Sequence, residues 1–334
     1  MDTNPRVRSY ADIGARAFGA RGRTIVSIAI YVQFFMVATG LLILEEDNLH
    51  RLFPRLKCQI SGLVIGGRQC FILIIGITVL PTVWLDNMNF LSYIYASGVI
   101  SFFALILSVL WVGFDGVEFH EKGRPFNYKG IPTSISIYAF CYGMHALLPT
   151  LYTLMRDQKK FPWVLVICFG VCTLSYAAMA ILGYLMFGLE VNSQITLSFP
   201  ADKVSTKVAI YAIIASPVAK FALMLLPIVK DVENQLMRRP NRGISILLRS
   251  GLVISSIVVA LIFPLFGYLM TLVGAFFDIA LSIILSCVFY MKITKRYLYG
   301  FESISMWGIV VVGVLVLSLG TFQATWDIVK HFTG

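Results

Sequence analysis

The sequence predicts an all-α, polytopic membrane protein, and three observations carry that reading. Hydrophobic residues make up 58% of the 334 and charged residues 13%, with a mean hydropathy of +0.82. Soluble domains carry about 25% charged residues, and a globule with half that share cannot cover itself. The apolar residues gather into nine runs, each long enough for a membrane helix. None of them alternates apolar and polar residues as outer-membrane barrel strands do. Disorder is excluded as well, because 25 Phe and 15 Tyr are the opposite of a solvated coil.

Residues 1–23 are polar, carry five arginines and read as a cytosolic linker; they do not form a secretory signal peptide. The apolar runs then cover about 24–44, 69–85, 90–113, 133–155, 161–188, 207–229, 248–266, 267–291 and 305–326. Glycine and proline recur inside them (Gly40, Pro81, Gly143, Pro149, Pro217, Pro227, Gly274), which membrane helices tolerate better than soluble ones. The join FPLFGY at 263–268 predicts a very tight hairpin between the seventh and eighth runs. With the N-terminus in the cytosol, sixteen of the 27 Lys and Arg face the cytosol and ten the other side. That split favours N-terminus in and C-terminus out.

The net charge of +10 lies in short clusters between the runs, as expected of loops beside anionic lipid. No basic stripe with interleaved aromatics is present, which excludes nucleic acid as a partner. The six cysteines show no C-x-x-C spacing, so no metal site is expected. Cys58 and Cys70 flank one loop, and a bridge between them stays open; Cys141, Cys168, Cys172 and Cys287 read as small buried hydrophobes. There is no G-x-S-x-G, H-E-x-x-H or Walker A pattern, and the histidines are scattered at 50, 120, 145 and 331. The sequence therefore predicts neither an enzyme nor a cofactor.

Three ionisable residues fall well inside the runs: His145, Lys220 and Asp278. A charge at the bilayer centre costs at least about 2.5–3.5 kcal/mol, so each faces a cavity or a partner. Lys220 follows Ser216 by one turn and Pro217 by three residues; a place in a transport path competes with a structural tie between helices. Asp278 belongs to a stripe, Thr271, Gly274, Asp278, Ser282 and Ser286, that puts small and polar groups on one helical face. Such a face also serves plain helix packing. An Asp278–Lys220 ion pair is conceivable from the sequence. His145 lies between Gly143 and Pro149, a pair that predicts a locally unwound helix whose freed backbone groups bind a polar substrate. Gln33 is explained by interhelical hydrogen bonding, and Glu45 and Glu46 read as solvated residues at the membrane boundary.

The stretches RSYADIGARAFG, TGLLILEEDNLHRLFP, VLPTVWL, GIPTSISIYAFCYGMHALLPTLYTLM, ILGYLMFGLEVNSQITLSFP, SPVAKFALMLLP and FPLFGYLMTLVGAFF resemble, in order, the amino acid/auxin permease family, in its plant vacuolar branch. The resemblance covers nearly the whole chain. It implies a leucine-transporter-like inverted-repeat fold of eleven helices that moves amino acids, often coupled to protons, from a site at mid-membrane. On this mapping 133–155 is the family's sixth helix, so Cys141, Tyr142, Gly143, Met144 and His145 line the site. The run at 207–229 is its eighth, which brings in Ser216 and Lys220. Gln33 falls on the third, where relatives tend to carry an acidic residue. Thr150, Ser216 and Asp278 depart from the usual Asn, Asn and small neutral residue. Met1 to Gly19 resembles the linker after the family's second helix.

The expectation is thus a single transporter domain over 1–334 lacking two of the family's helices. Residues 24–113 are the remainder of the first repeat, 133–291 the second repeat, and 305–326 the final helix. Its function is secondary transport of neutral amino acids across the vacuolar membrane, with protons as coupling ion through His145, Lys220 and Asp278. The shortened first repeat implies a chain that inserts but does not couple uptake. The alternative is a non-transporting regulator or subunit that keeps the scaffold.

Overall fold

In a computed structural model, helix occupies each of the nine apolar runs; the residues described are 9–56, 58–60, 63–85, 88–114, 128–200, 203–236, 242–294 and 300–333. Helix α1 runs Tyr10–Leu52 and begins well before the residue 24 expected. Its start is a capping box: the Ser9 amide donates to Asp12 Oδ2 at 3.0 Å and the Asp12 amide to Ser9 Oγ at 3.2 Å. Gly19, at φ 69°, breaks it into two pieces with a backbone that favours glycine. The expected linker therefore carries a helix, and Tyr10, Ala11 and Ala17 are buried on its inner face. Five arginines disguise that apolar face in the sequence.

After α1 a small antiparallel pair, β1 (Cys58–Ile60) and β2 (Leu63–Ile65), sets Cys58 opposite Ile65. It is the one departure from all-helix among the described residues. Cys70 is disulfide-bonded, while Cys141, Cys168, Cys172 and Cys287 are free; the side chain of Cys58 lies outside the described residues. Helices α2 (Gly67–Trp84) and α3 (Met88–Phe114) follow, then α4 (Ile131–Cys141), α5 (Leu148–Leu154), α6 (Phe161–Phe187), α7 (Val204–Leu236) and α8 (Arg242–Ile262). Three residues separate α8 from α9 (Phe266–Leu272). A π-helix (Val273–Ile284), α10 (Leu285–Ile293) and α11 (Phe301–Thr333) complete the chain.

Among the described residues eight helices are long and apolar enough to cross a membrane. The remaining run, 207–229, lies in α7, 33 residues long, whose described apolar stretch is only Val204–Ile214. The protein is an all-helical polytopic membrane protein.

The chain forms two compact units, Met1–Gln33 with Phe126–Phe169 and Tyr268–Gly334, and Phe34–Pro125 with Gly170–Gly267. In the first, α4, the π-helix, α10 and α11 pack together, and Tyr10 Oη donates to the Leu281 carbonyl. The second packs α3 on α7 and α2 on both α7 and α8, around a core of Val109, Val112, Met186, Phe199 and Ala209.

Two polar clusters in the second unit escape the sequence. Glu45 and Glu46 are 2% and 0% exposed, not solvated as expected. Arg68 reaches Glu46 at 3.7 Å, and Asn48, Gln194 and Thr196 form a buried hydrogen-bonded chain beside them. Arg249, 2% exposed, donates to the Val83 carbonyl at 2.8 Å and pairs with Glu233 at 3.4 Å. Val83 lies in the last turn of α2, where carbonyls have no helical partner and a cation is favoured.

Candidate transport site at a broken helix

The first unit holds the candidate site, at a break in one apolar run. Pro132 lies in the first turn of α4, where its missing N–H costs nothing. The helix ends at Cys141. Pro149, in the first turn of α5, lacks an N–H, and its ring would clash with the carbonyl four residues back, that of His145. The run therefore cannot continue as one helix. Tyr142–Met144 unwind, with short bonds from the Tyr142 amide to the Ala139 carbonyl (3.2 Å) and from the Met144 amide to the Tyr142 carbonyl (2.8 Å). A 3₁₀ turn, His145–Leu147, leads into α5. Gly143 and Pro149 predicted this unwinding from the sequence.

Asp278 is set against the break. It lies mid-way along the π-helix, is 1% exposed, and its Oδ1 accepts from Gln33 Nε2 at 2.5 Å. Asp278 Oδ2 and Gln33 Oε1 have no hydrogen-bond partner among the described residues. The carboxylate fills the space that a Cβ on Gly143 would need. Only glycine allows an approach this close. A cavity of about 780 Å³ opens beside it between α4, the π-helix and α11, reached by Tyr138, Tyr142, His145 and Asp278 and otherwise largely apolar. Tyr142 stacks on Phe169 with centroids 5.9 Å apart and planes 7° apart, and His145 lies 6.5 Å from the same ring.

Of the residues expected at the site, Gln33, Cys141, Tyr142, Gly143, Met144, His145 and Asp278 all belong to this unit. Gln33 makes the interhelical bond expected of it, but to Asp278. Met144 is 48% exposed and is not among the cavity's lining residues. Lys220 stands exposed on α7 in the second unit; the side chain of Ser216, also on α7, lies outside the described residues. Within the polar stripe Gly274 packs against Ser136 and Phe140 of α4, and Asp278 and Ser282 line the same cavity. Asp278 turns to the break, and Ser286 lies 3.0 Å from the Tyr10 hydroxyl. Sequence reasoning missed Phe169 and the contribution of α11, which no local pattern signals.

The family model for transmembrane amino acid transporter proteins matches residues 1–325. This chain belongs to that family. It is 45% identical over 333 residues to amino acid transporter AVT1I of Arabidopsis thaliana, covering 98% of this chain and 82% of the relative. It is 47% identical to amino acid transporter AVT1J of the same plant, over 99% of this chain and 80% of the relative. Amino acid transporter AVT1E, at 36%, is covered over 64% of its length. These relatives are named transporters, so the family is not enzymatic, and membership supports amino acid transport through the membrane.

Proposed function

We propose that the protein is a secondary transporter of neutral amino acids in the vacuolar membrane, coupled to protons, with its substrate site at the break of Tyr142–His145. The observation that carries this is an unwound segment in a membrane run, facing a cavity and a buried carboxylate. Irregular backbone at membrane depth is tolerated where it lines a cavity, and such segments recognise polar substrates in transporters. His145 and Asp278 share that cavity and serve, with Lys220, as the groups that exchange protons. In this reading α1–α3 belong to the first of two inverted repeats and α4–α10 form the second.

The N-terminus lies in the cytosol and the C-terminus in the lumen. The sixteen-to-ten cation split favours this orientation, and so does the disulfide at Cys70, beside a loop placed on the lumenal side, since disulfides persist in oxidising compartments. Cysteines introduced at Gln158 and Ser193 test it: a membrane-impermeant reagent on the cytosolic side should label the first and spare the second. The reverse pattern overturns the orientation.

Uptake of neutral amino acids into proteoliposomes under an imposed pH gradient tests the function. In a chain carrying all eleven helices that the resemblance implies, saturable, gradient-driven uptake that falls in Lys220→Ala and shifts its pH profile in His145→Gln is expected. No uptake at any gradient would favour a regulator that keeps the scaffold.

A further inference from the structure

We propose that Asp278 is the specificity-determining anchor for the substrate's ammonium group, and that the apolar cavity beside it receives the substrate's side chain. The proposal deepens the substrate-site reading of the break and rests on it.

Four observations converge. Asp278 is 1% exposed, and a desolvated carboxylate needs a proton or a cation beside it. Its Oδ1 is occupied by the Gln33 amide, whereas Oδ2 has no hydrogen-bond partner among the described residues. No lysine or arginine is among the described residues lining the cavity, so the protein supplies no fixed cation there. The carboxylate rests on Gly143, inside the unwound segment. An ammonium at Oδ2 would thus stand beside both the charge and the unwound segment, with its three N–H groups directed at acceptors.

Gln33 sharpens the selectivity. By holding Oδ1 it fixes the carboxylate in one orientation and leaves one oxygen for the ligand. The cavity walls include Ile279, Ile283, Ile309 and Val312, which suit an aliphatic or aromatic side chain and leave a second carboxylate unpaired. The substrate class is therefore an α-amino acid with an apolar side chain; acidic amino acids are excluded both by the walls and by Asp278 itself.

Binding of leucine and of its 2-hydroxy analogue, which replaces the ammonium by a hydroxyl, tests the assignment on the full chain in nanodiscs. The wild type should bind leucine about 10–100-fold more tightly than the analogue, the factor expected for a hydrogen bond to a charged group. Asp278→Asn keeps the side chain's size and should lose that preference, through weaker leucine binding with the analogue unchanged. Asp278→Ser is the second variant should the amide fail to fold. Equal binding of leucine and the analogue by the wild type, or an undiminished preference in either variant, overturns the proposal. Tyr142→Ala separates the two readings. If it abolishes leucine binding while Asp278→Asn does not, only the anchor falls; if neither variant affects binding, the site at the break falls with it.

Discussion

Arg249 and Asp278 are both buried charges in apolar helices, and their surroundings could hardly differ more. Arg249 reaches the Val83 carbonyl of α2 and the Glu233 carboxylate of α7, and Glu233 also accepts from the Ser245 hydroxyl. Beside it the Trp84 indole donates to Ser250 Oγ at 3.0 Å, a second tie between α2 and α8. Asp278 is held at one oxygen by Gln33, its other oxygen has no hydrogen-bond partner among the described residues, and the residue lines a cavity. A buried charge met from several elements joins those elements together. A buried charge left half-met, beside an unwound helix, is a group awaiting a partner from outside. The first reads as scaffold, and the second, on the proposed assignment, as part of a site.

The difference can be broken first at Arg249. Removing one partner of a buried pair leaves the other uncompensated, at about 3–5 kcal/mol. Arg249→Met should therefore lower the midpoint of thermal unfolding strongly and cut the yield of monodisperse protein. Replacing both partners by apolar residues is close to neutral in comparable pairs, so Arg249→Met with Glu233→Leu should recover much of the loss. A double variant as unstable as the single one would mean that the Val83 carbonyl, not Glu233, is the partner that matters.

The next largest effect is expected at Gly143. A valine there would place its Cβ inside the Asp278 carboxylate, so the π-helix or the break must shift. Residues in contact show coupling of about 0.5–3 kcal/mol in a double-mutant cycle. Gly143→Ala should thus be costly in the wild type and cheap beside Asp278→Ala, read by thermal unfolding. Additive effects would show that Gly143 is required for its backbone alone. Gly19→Ala supplies the contrast: an added Cβ meets nothing within 4 Å, and only the φ of 69° is unfavourable. That residue should cost about 1–2 kcal/mol, with no coupling to Asp278.

These two charges also show what a sequence exposes and what it hides. The break at 142–144 was legible because Gly143 and Pro149 are local signals in one apolar run, and Asp278 was legible as an ionisable residue far from either end of its run. Its partner was not, since Gln33 lies 245 residues away and Lys220 offers the more obvious charge. The π winding of Val273–Ile284 was not legible, since spacings of three and four assume an α-helix. Arg249 sits at the edge of its run, where a cation reads as part of a loop. Glu45 and Glu46 were misread for the same reason: distance along a run measures depth in the membrane but not burial against neighbours.

The smallest expected effect has the most informative sign. Asp278→Asn alters two or three atoms' chemistry and almost no volume. Its amide oxygen still accepts from Gln33 Nε2. Gln33 Oε1 is also buried without a hydrogen-bond partner among the described residues. The variant therefore removes a desolvated negative charge, and where its new NH₂ group reaches Gln33 Oε1 the pair gains a second bond. Neutralising an incompletely paired buried charge in this way should leave stability unchanged or raise it by about 1 kcal/mol, the net value of one hydrogen bond. Thermal unfolding in the absence of substrate reads this directly. A rise in the midpoint together with weaker leucine binding is the trade expected of a residue kept for its ligand at some cost to the fold. A clear fall in the midpoint would place Asp278 with Arg249, as a charge whose partners are already within the protein.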